Sequence, residues 1–284
     1  RPYRNGRRLF IGENYAYLSH SRGFNYFNLT ANGQNKVTRN GTQSAGWRRI
    51  VGNGSGLSLS AEGLTSWGSA NLSLYTVDSN GSFLRPGGYL ENFEATFNTP
   101  GDARDVAVYN GLAYIADGSS GLQVVAYRSY EVGDVPPELE LRTNDLNGSA
   151  EEGSVFNLRA LVSDDIQVKN VDFLINGERV KVDGGYPFSL AYKVPLLKNA
   201  QSFTAQVIAR DTGGNEVSTE VTTYTITEDA TPPVIAAIFP AANSVILANE
   251  PVLILFSEDL DPASVANSLV LEQVSENGAP SPLS

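Results

Sequence analysis

Runs in which hydrophobic and polar residues alternate follow one another along most of the chain. Val155 to Val162 and Phe203 to Ala209 show the pattern most clearly, with an apolar residue at nearly every second position. Alternation with a period of two is typical of strands that bury one face. Gly, Pro and Asn separate the runs at short intervals, as turns do. The pattern therefore predicts an all-β protein made of many short strands.

The second half of the chain contains seven such runs. They cover residues 138–141, 155–162, 171–175, 179–182, 188–192, 203–209 and 221–226. Asn176-Gly177 is a strong hairpin turn, and the stretch from Asp211 to Asn215 closes the last hairpin. Seven short strands in about 90 residues are the number found in a β-sandwich.

Short motifs in this half match, in order, the pattern of bacterial Ig-like domains. They are Pro136-Pro137, Ser163-Asp164-Asp165, Val171 to Gly177, Tyr186-Pro187-Phe188 and Ala209 to Asn215. Domains of this kind occur in long extracellular arrays. The resemblance implies an Ig-like β-sandwich over residues 134–229 and a secreted or cell-surface bacterial location.

A second Pro-Pro linker, Glu228 to Pro233, repeats the one before this domain. The stretch from Val234 to Leu271 resembles another bacterial Ig-like family. We therefore expect residues 230–284 to hold the start of a second, truncated Ig-like module.

The first half of the chain contains an internal repeat. Segments beginning at Phe24, Leu72 and Leu122 align at spacings of 48 and 50 residues. Asn14 to Leu18 and Gly111 to Ile115 form a second matching pair. A period near 50 residues made of short strands favours the four-stranded blades of a β-propeller. A plain β-sandwich with a chance repeat is the alternative.

Ala113 to Val125 resembles the LVIVD-repeat family of β-propellers. The resemblance implies a partial β-propeller over residues 1–133. About two and a half blades are present, whereas a ring needs at least four. We therefore expect the chain to be a piece of a longer polypeptide.

Composition and charge narrow the function. The chain has no cysteine, which excludes disulfides, thiolate metal sites and cysteine nucleophiles. Residues 134–284 carry 8 basic against 22 acidic side chains, which argues against a nucleic-acid partner. No apolar run approaches the roughly 20 residues of a transmembrane helix.

Catalytic motifs are missing from the sequence. His20 is the sole histidine and no Gly-x-Ser-x-Gly motif exists, which disfavours a serine hydrolase. His20 occupies the position that Asp117 holds in the third repeat, so a role in a turn or at a blade edge explains it. Gly52 to Gly56 lacks the Gly-Lys-Ser/Thr of a phosphate loop and is interpreted as a flexible inter-strand loop. We predict a non-enzymatic chain with no catalytic and no cofactor-binding residue.

Calcium is the one ion that the sequence suggests, because oxygen ligands are abundant. The predicted ligands are Asp164, Asp165 and Asp211 at one pole of the sandwich, with Glu228 and Asp229 in the following linker. The arrangement resembles the interdomain sites of cadherin-like modules. In the alternative interpretation these acids are solvated turn residues.

Aromatic side chains in the first half suggest a carbohydrate-binding face. They are Tyr3, Tyr15, Tyr17, Tyr26, Trp47 and Trp67. Packing between blades calls for the same residues. The sequence alone leaves both interpretations open.

We expect a non-catalytic region of a large secreted or cell-surface protein that acts in adhesion, display or spacing. Its partners would be an unknown surface glycan or protein ligand and the neighbouring domains of the same chain. The alternative is an accessory region of a secreted hydrolase whose catalytic domain lies outside this chain. An enzyme active in the propeller itself ranks last.

Overall fold

The computed structural model describes most of the chain. The described residues are 6–20, 23–30, 36–39, 46–63, 71–77, 93–145, 147–241, 244, 251–258, 260, 265, 272–274 and 280–282. Strands dominate them, together with a short 3₁₀ helix at Gly118–Ser120. The all-β fold class predicted from the alternating pattern is confirmed.

Eleven strands form three consecutive antiparallel sheets in the first half. They are β1 Gly6–Ile11, β2 Tyr15–His20, β3 Gly23–Asn28, β4 Lys36–Arg39, β5 Gly46–Gly52, β6 Leu57–Gly63, β7 Leu72–Thr76, β8 Phe93–Phe97, β9 Asp105–Tyr109, β10 Leu112–Ala116 and β11 Leu122–Val125. The sheets are β1-β2-β3-β4, β5-β6-β7-β8 and β9-β10-β11, each with neighbouring strands in chain order. This meander order is the order of strands within a propeller blade.

The sequence repeat coincides with equivalent strands of these sheets. Its three aligned segments are the third strands β3, β7 and β11, and its second pair is β2 and β10. Each repeat is thus one meander. A propeller stays a prediction, since the described residues form two four-stranded sheets and one three-stranded sheet.

The three sheets share one hydrophobic core. Strand β5 contacts β1 and β2 of the first sheet and β9 of the third. Tyr17, Phe24, Leu59, Leu72 and Ile115 are almost completely buried there. Each sheet therefore buries a face against its neighbours, which a single small meander cannot do alone.

The second half folds into a β-sandwich. Its strands are β12 Glu138–Thr143, β13 Ser149–Glu151, β14 Val155–Ser163, β15 Val168–Ile175, β16 Glu178–Asp183, β17 Phe188–Lys193, β18 Ser202–Asp211, β19 Glu216–Ser218 and β20 Thr222–Thr227. One sheet is β12-β14-β17; the other is β13-β20-β18-β15-β16, with β19 paired to β18. All seven predicted strands are present. The sequence missed β13 and β19, because strands of three residues are too short to show a period.

The predicted turn and alternation account for this sandwich. Asn176 and Gly177 have φ of 53° and 77°, the positive values that a two-residue hairpin turn of type I′ requires. In β18 every second residue from Phe203 onward is buried, and the last of the row is Asp211. The alternation that buries the apolar residues of β18 therefore also buries the side chain of Asp211.

Four further strands follow the sandwich. Strand β21 Ile235–Phe239 pairs with β22 Leu253–Phe256, and β23 Glu272–Val274 pairs with β24 Pro280–Pro282. Much of residues 230–284 lies outside the described residues, so a second Ig-like module there stays a prediction. In the described part of the chain, no helix has the length and apolar character needed to cross a membrane.

Candidate functional site

Tyr186 connects the core of the N-terminal sheets with the core of the sandwich. It packs against both hydrophobic clusters. Its ring centroid lies 6.4 Å from those of Phe10 and Tyr15 on one side and 6.1 Å from that of Phe188 on the other. Its hydroxyl accepts a hydrogen bond from the Glu13 backbone amide at 2.9 Å. One side chain therefore holds two units together by stacking and by a hydrogen bond.

The glycine-rich turn between β5 and β6 provides the surface that receives Tyr186. A Cβ at Gly54 would lie 2.5 Å from the Tyr186 ring, and Gly54 has φ of +78°. The Asn53 side chain is buried and accepts backbone hydrogen bonds from Ser55 and Leu57 at 2.8 and 3.0 Å. The interpretation as a flexible loop was wrong, because the turn is compact and is packed against the sandwich.

Polar contacts extend this interface beyond Tyr186. Arg159 forms an ion pair with Glu13 at 2.8 Å. The Asn110 amide donates to the Gly184 carbonyl at 2.9 Å. The buried Gln167 side chain donates to the carbonyl of Gly111 at 3.2 Å. The sandwich thus contacts both the first and the third N-terminal sheet.

A cleft of about 610 Å³ opens beside this interface. Tyr15, Gly54 and Tyr186 line it together with the carboxylates Glu13 and Asp164. Its walls come from the N-terminal sheets and from the sandwich, so its shape depends on their relative orientation.

Acidic side chains meet where the chain enters the sandwich. Asp164 and Asp165 follow β14, and Asp211 ends β18. Glu131 lies between β11 and β12, in the linker. Glu131, Asp164 and Asp165 each place a carboxylate oxygen within 4.8 Å of the other two. We call these three residues the acidic cluster.

Asp211 and Asn215 form the base of the acidic cluster. Asp211 is fully buried and accepts hydrogen bonds from the backbone amides of Gly214 at 2.7 Å and Asn215 at 2.9 Å. The Asn215 amide group donates to the second Asp211 oxygen at 2.8 Å and to the Gly133 carbonyl at 3.1 Å. The hairpin after β18 is thereby tied to the linker.

Two oxygens of the acidic cluster are buried without a hydrogen-bond partner. They are Oε2 of Glu131 and Oδ1 of Asp164. Burial, and then the negative charges of Asp211 and Asp164, raise the pKa of Glu131. Burial, with Asp211 and Asp165, likewise raises the pKa of Asp164. Chemically, the arrangement is an oxygen-rich, negatively charged site suited to a hard cation.

Glu228 and Asp229 do not join this cluster. They line a cavity of about 1130 Å³ at the other end of the sandwich, together with Glu258. The Thr231 backbone amide, and then the Glu258 carboxyl, lower the pKa of Asp229. The five predicted calcium ligands therefore separate into three at one pole and two at the other.

The strand pairing explains the separation. The first sandwich strand begins with Glu138 opposite Ser163, whereas the last one ends with Thr227 opposite Glu151. The chain thus enters and leaves at opposite ends of β14, on the order of 25 Å apart. The entering linker meets the acidic loops, and it contains Glu131, which the sequence analysis missed. The acidic Pro-Pro pattern shared by both linkers was the available signal.

Packing accounts for three of the six aromatic residues predicted for sugar stacking. Tyr15, Tyr17 and Tyr26 are buried in the core of the N-terminal sheets. Their rings are therefore unavailable as an exposed face, and the packing interpretation holds for them. Tyr3, Trp67 and the Trp47 side chain lie outside the described residues.

His20 and Asp117 are both buried at the point where the second strand of their meander ends. His20 ends β2, and burial lowers the pKa of its imidazole. Asp117 follows β10 and accepts hydrogen bonds from the Thr99 hydroxyl at 2.6 Å and the Gly101 amide at 2.8 Å. Both residues occupy the same place in their meanders.

Fold and site together define an all-β region in which an Ig-like sandwich is docked on meander sheets. Residues 137–227 match the model of the bacterial Ig domain family. Residues 100–125 match that of the LVIVD repeat. The resemblance of the sandwich to bacterial Ig-like domains and that of Ala113 to Val125 to the LVIVD repeat are confirmed.

Solved structures similar to this chain include extracellular modules. Fibronectin(III)-like modules of Clostridium thermocellum CbhA are 20% identical, with 31% of this chain and 98% of theirs covered and a TM-score of 0.27. Extracellular domains assigned to two hybrid two-component systems of B. thetaiotaomicron are 9% and 15% identical, with TM-scores of 0.31 and 0.24. Each covers 78% of this chain, which spans only 31% of those domains. Structural similarity at TM-scores this low does not indicate a shared function.

A search among curated proteins finds no match to the chain.

Proposed function

We propose that this chain is a non-catalytic region of an extracellular bacterial protein. It holds its N-terminal sheets in a fixed orientation on an Ig-like module, for adhesion or display. The family match of the sandwich supports an extracellular modular protein. The two units would act together as one stiff spacer that presents the N-terminal loops to a surface glycan or protein.

The Tyr186 interface is the observation that carries this proposal. A linker alone would let two domains move freely, and relative motion is the usual expectation for small interfaces. Here the Tyr186 ring packs between both cores, and Gln167 is buried against the third sheet. Stacking and buried hydrogen bonds at several places along one face oppose such motion, because rotation would break them together.

Stiffness is measurable as a distance distribution between two spin labels. The chain has no cysteine, so the two labelling sites can be introduced without removing any native thiol. We choose Leu122→Cys in the N-terminal sheets and Val180→Cys in the sandwich, because both positions are exposed. We expect a narrow distribution for the full chain and a broad one for Tyr186→Ala. Tyr192→Ala is the matched control, because Tyr192 packs on Phe203 inside the sandwich.

A broad distribution in the unsubstituted chain would overturn the stiff spacer. If the distance distribution of Tyr186→Ala were as narrow as that of the control, Tyr186 would not hold the two units together. That result would contradict the observation on which the proposal rests. Circular dichroism verifies that each variant has kept its strands.

Adhesion is tested separately with the immobilised full chain. The chain is exposed to arrays of bacterial and host glycans and to surface-protein extracts, and bound material is recovered intact. Retention without chemical change supports adhesion or display. Release of cleaved glycan or peptide would overturn the non-catalytic assignment.

A further inference from the structure

We propose that Glu131, Asp164 and Asp165 form a Ca²⁺ site that fastens the linker to the sandwich. This inference goes beyond the proposed function and does not depend on it. It assigns a metal site to the junction between the two units, built from one linker residue and one sandwich loop.

The strongest observation is the burial of an unpaired carboxylate oxygen. Glu131 retains 8% of its accessible surface, and its Oε2 atom is buried with no hydrogen-bond partner. Its other oxygen accepts hydrogen bonds from the Val135 backbone amide at 3.3 Å and from the Asn215 side-chain amide at 3.4 Å. The same holds at Asp164, where Oδ2 accepts from Ile166 and Oδ1 is buried and unpaired. A buried carboxylate oxygen without a partner is costly unless a cation or proton satisfies it.

Protein cations do not satisfy these oxygens. In the described part of the chain, no arginine or lysine forms an ion pair with Glu131, Asp164, Asp165 or Asp211. The charges acting on Glu131 come from Asp211 and Asp164. Four carboxylates thus face one another, and a bound divalent cation would convert their repulsion into shared coordination.

Asn215 holds the linker in a fixed position beside the acidic residues of the sandwich. Its amide group donates to Asp211 and to the linker carbonyl of Gly133, which fixes the linker against the sandwich. Gly213 lies close to Glu131, since a Cβ there would meet the Glu131 Cβ at 3.1 Å. The backbone around Glu131 is therefore held in place before any ion binds.

The number of carboxylates favours calcium among the common divalent ions, because Ca²⁺ accepts six to eight oxygen ligands in flexible geometry. Ligand oxygens lie about 2.3–2.6 Å from Ca²⁺, so oxygens on opposite sides of one ion can be nearly 5 Å apart. The three carboxylate oxygens, which lie within 4.8 Å of one another, fit that span. Mg²⁺ demands near-ideal octahedral geometry and resists losing its waters, so it is seldom held by several protein carboxylates. Asp165 is exposed, which leaves room for water ligands.

The test uses calorimetric titration and thermal unfolding of the full chain, first freed of metal with chelator. We expect one Ca²⁺ per chain and a higher unfolding midpoint with Ca²⁺ than with chelator, with a smaller effect of Mg²⁺. Glu131→Gln keeps the carbonyl acceptor for Val135 and should abolish the shift. Asp165→Asn should weaken binding at least about tenfold, since affinity follows ligand charge. Asp229→Asn, at the other pole, is the matched control and should bind like the unsubstituted chain.

An unchanged midpoint in the unsubstituted chain, without heat of binding, overturns the site. So does a Ca²⁺ response that survives both Glu131→Gln and Asp165→Asn, or one that disappears in Asp229→Asn. If Glu131→Gln fails to fold, Asp165→Asn decides alone, because an exposed side chain is dispensable for folding.

Discussion

Gly54 shows how one residue decides whether the two units can dock. Gly54 and Gly56 share φ of +78°, yet only Gly54 is near Tyr186; at Gly56 the nearest atom to an added Cβ is the Val77 carbonyl at 3.9 Å. Alanine at either position costs about 1–2 kcal/mol of backbone strain. We expect Gly54→Ala to lose about 1–3 kcal/mol more, because the ring must move. Denaturant unfolding measures the loss of stability in each variant. Equal losses would show that the Tyr186 ring moves aside at no cost in free energy.

Buried tyrosines make the N-terminal sheets sensitive to alkali. Burial raises the pKa of Tyr127 to about 12 from its usual 10.0, and burial followed by the nearby Tyr17 and Tyr186 raises that of Tyr15. A raised pKa means that folding favours the neutral phenol, so this stability is complete below pH 10 and is lost as the pH rises towards 12. We expect phenolate absorbance in this range to appear together with loss of strand signal. Full ionisation with the fold retained would contradict the burial of these rings.

Ion pairs in the sandwich differ widely in how much they stabilise the fold. Asp172 in β15, with 3% of its side chain exposed, pairs with Arg210 of β18 at 2.6 Å and Arg179 of β16 at 3.3 Å. Alanine at this position removes the buried acceptor of both charge-assisted hydrogen bonds, while Arg210 keeps its ion pair with Glu216 at 2.7 Å. We expect Asp172→Ala to lower the free energy of unfolding by about 2–3 kcal/mol.

Glu140→Ala serves as the comparison for Asp172. Glu140 and Arg142 pair at 2.9 Å, but 61% and 62% of their side chains are exposed. Exposed pairs contribute roughly 0–1 kcal/mol, so the midpoint in urea should hardly move. Equal effects of the two substitutions would show that burial does not determine how much these ion pairs contribute to the free energy of unfolding.

Strands and turns of the sandwich were largely predictable, because the period of two, Asn176-Gly177 and the Pro-Pro linker act locally. The compact β5–β6 turn was not, since five residues with three glycines look flexible until the Tyr186 ring is placed on Gly54. Short strands such as Glu216–Ser218 were missed for the same reason, as their pairing with β18 comes from the tertiary structure.

The whole molecule should unfold as one unit if the interface joins the two cores. Tyr186 packs against both clusters, and Arg159 bridges to Glu13. We expect a single calorimetric transition for the full chain, which Tyr186→Ala separates into two. Tyr192→Ala should lower the midpoint without dividing the transition. Two transitions in the unsubstituted chain would mean that docking is weaker than the folding of each unit.

The sequence by itself determined the all-β class, seven of the nine strands of the sandwich, the repeated meanders and the resemblances to the bacterial Ig domain and the LVIVD repeat. These follow from alternation, turn residues and repeat spacing, which are properties of neighbouring residues. Only the tertiary structure decided which acids meet. Asp164 and Asp165, in the loop after β14, meet Glu131 of the linker, and Asp211 at the end of β18 lies beside them. Asp229 does not join them, because the chain enters and leaves the sandwich at opposite ends. The end of the sandwich at which each linker lies is set by strand pairing over long sequence distances, which no local pattern records.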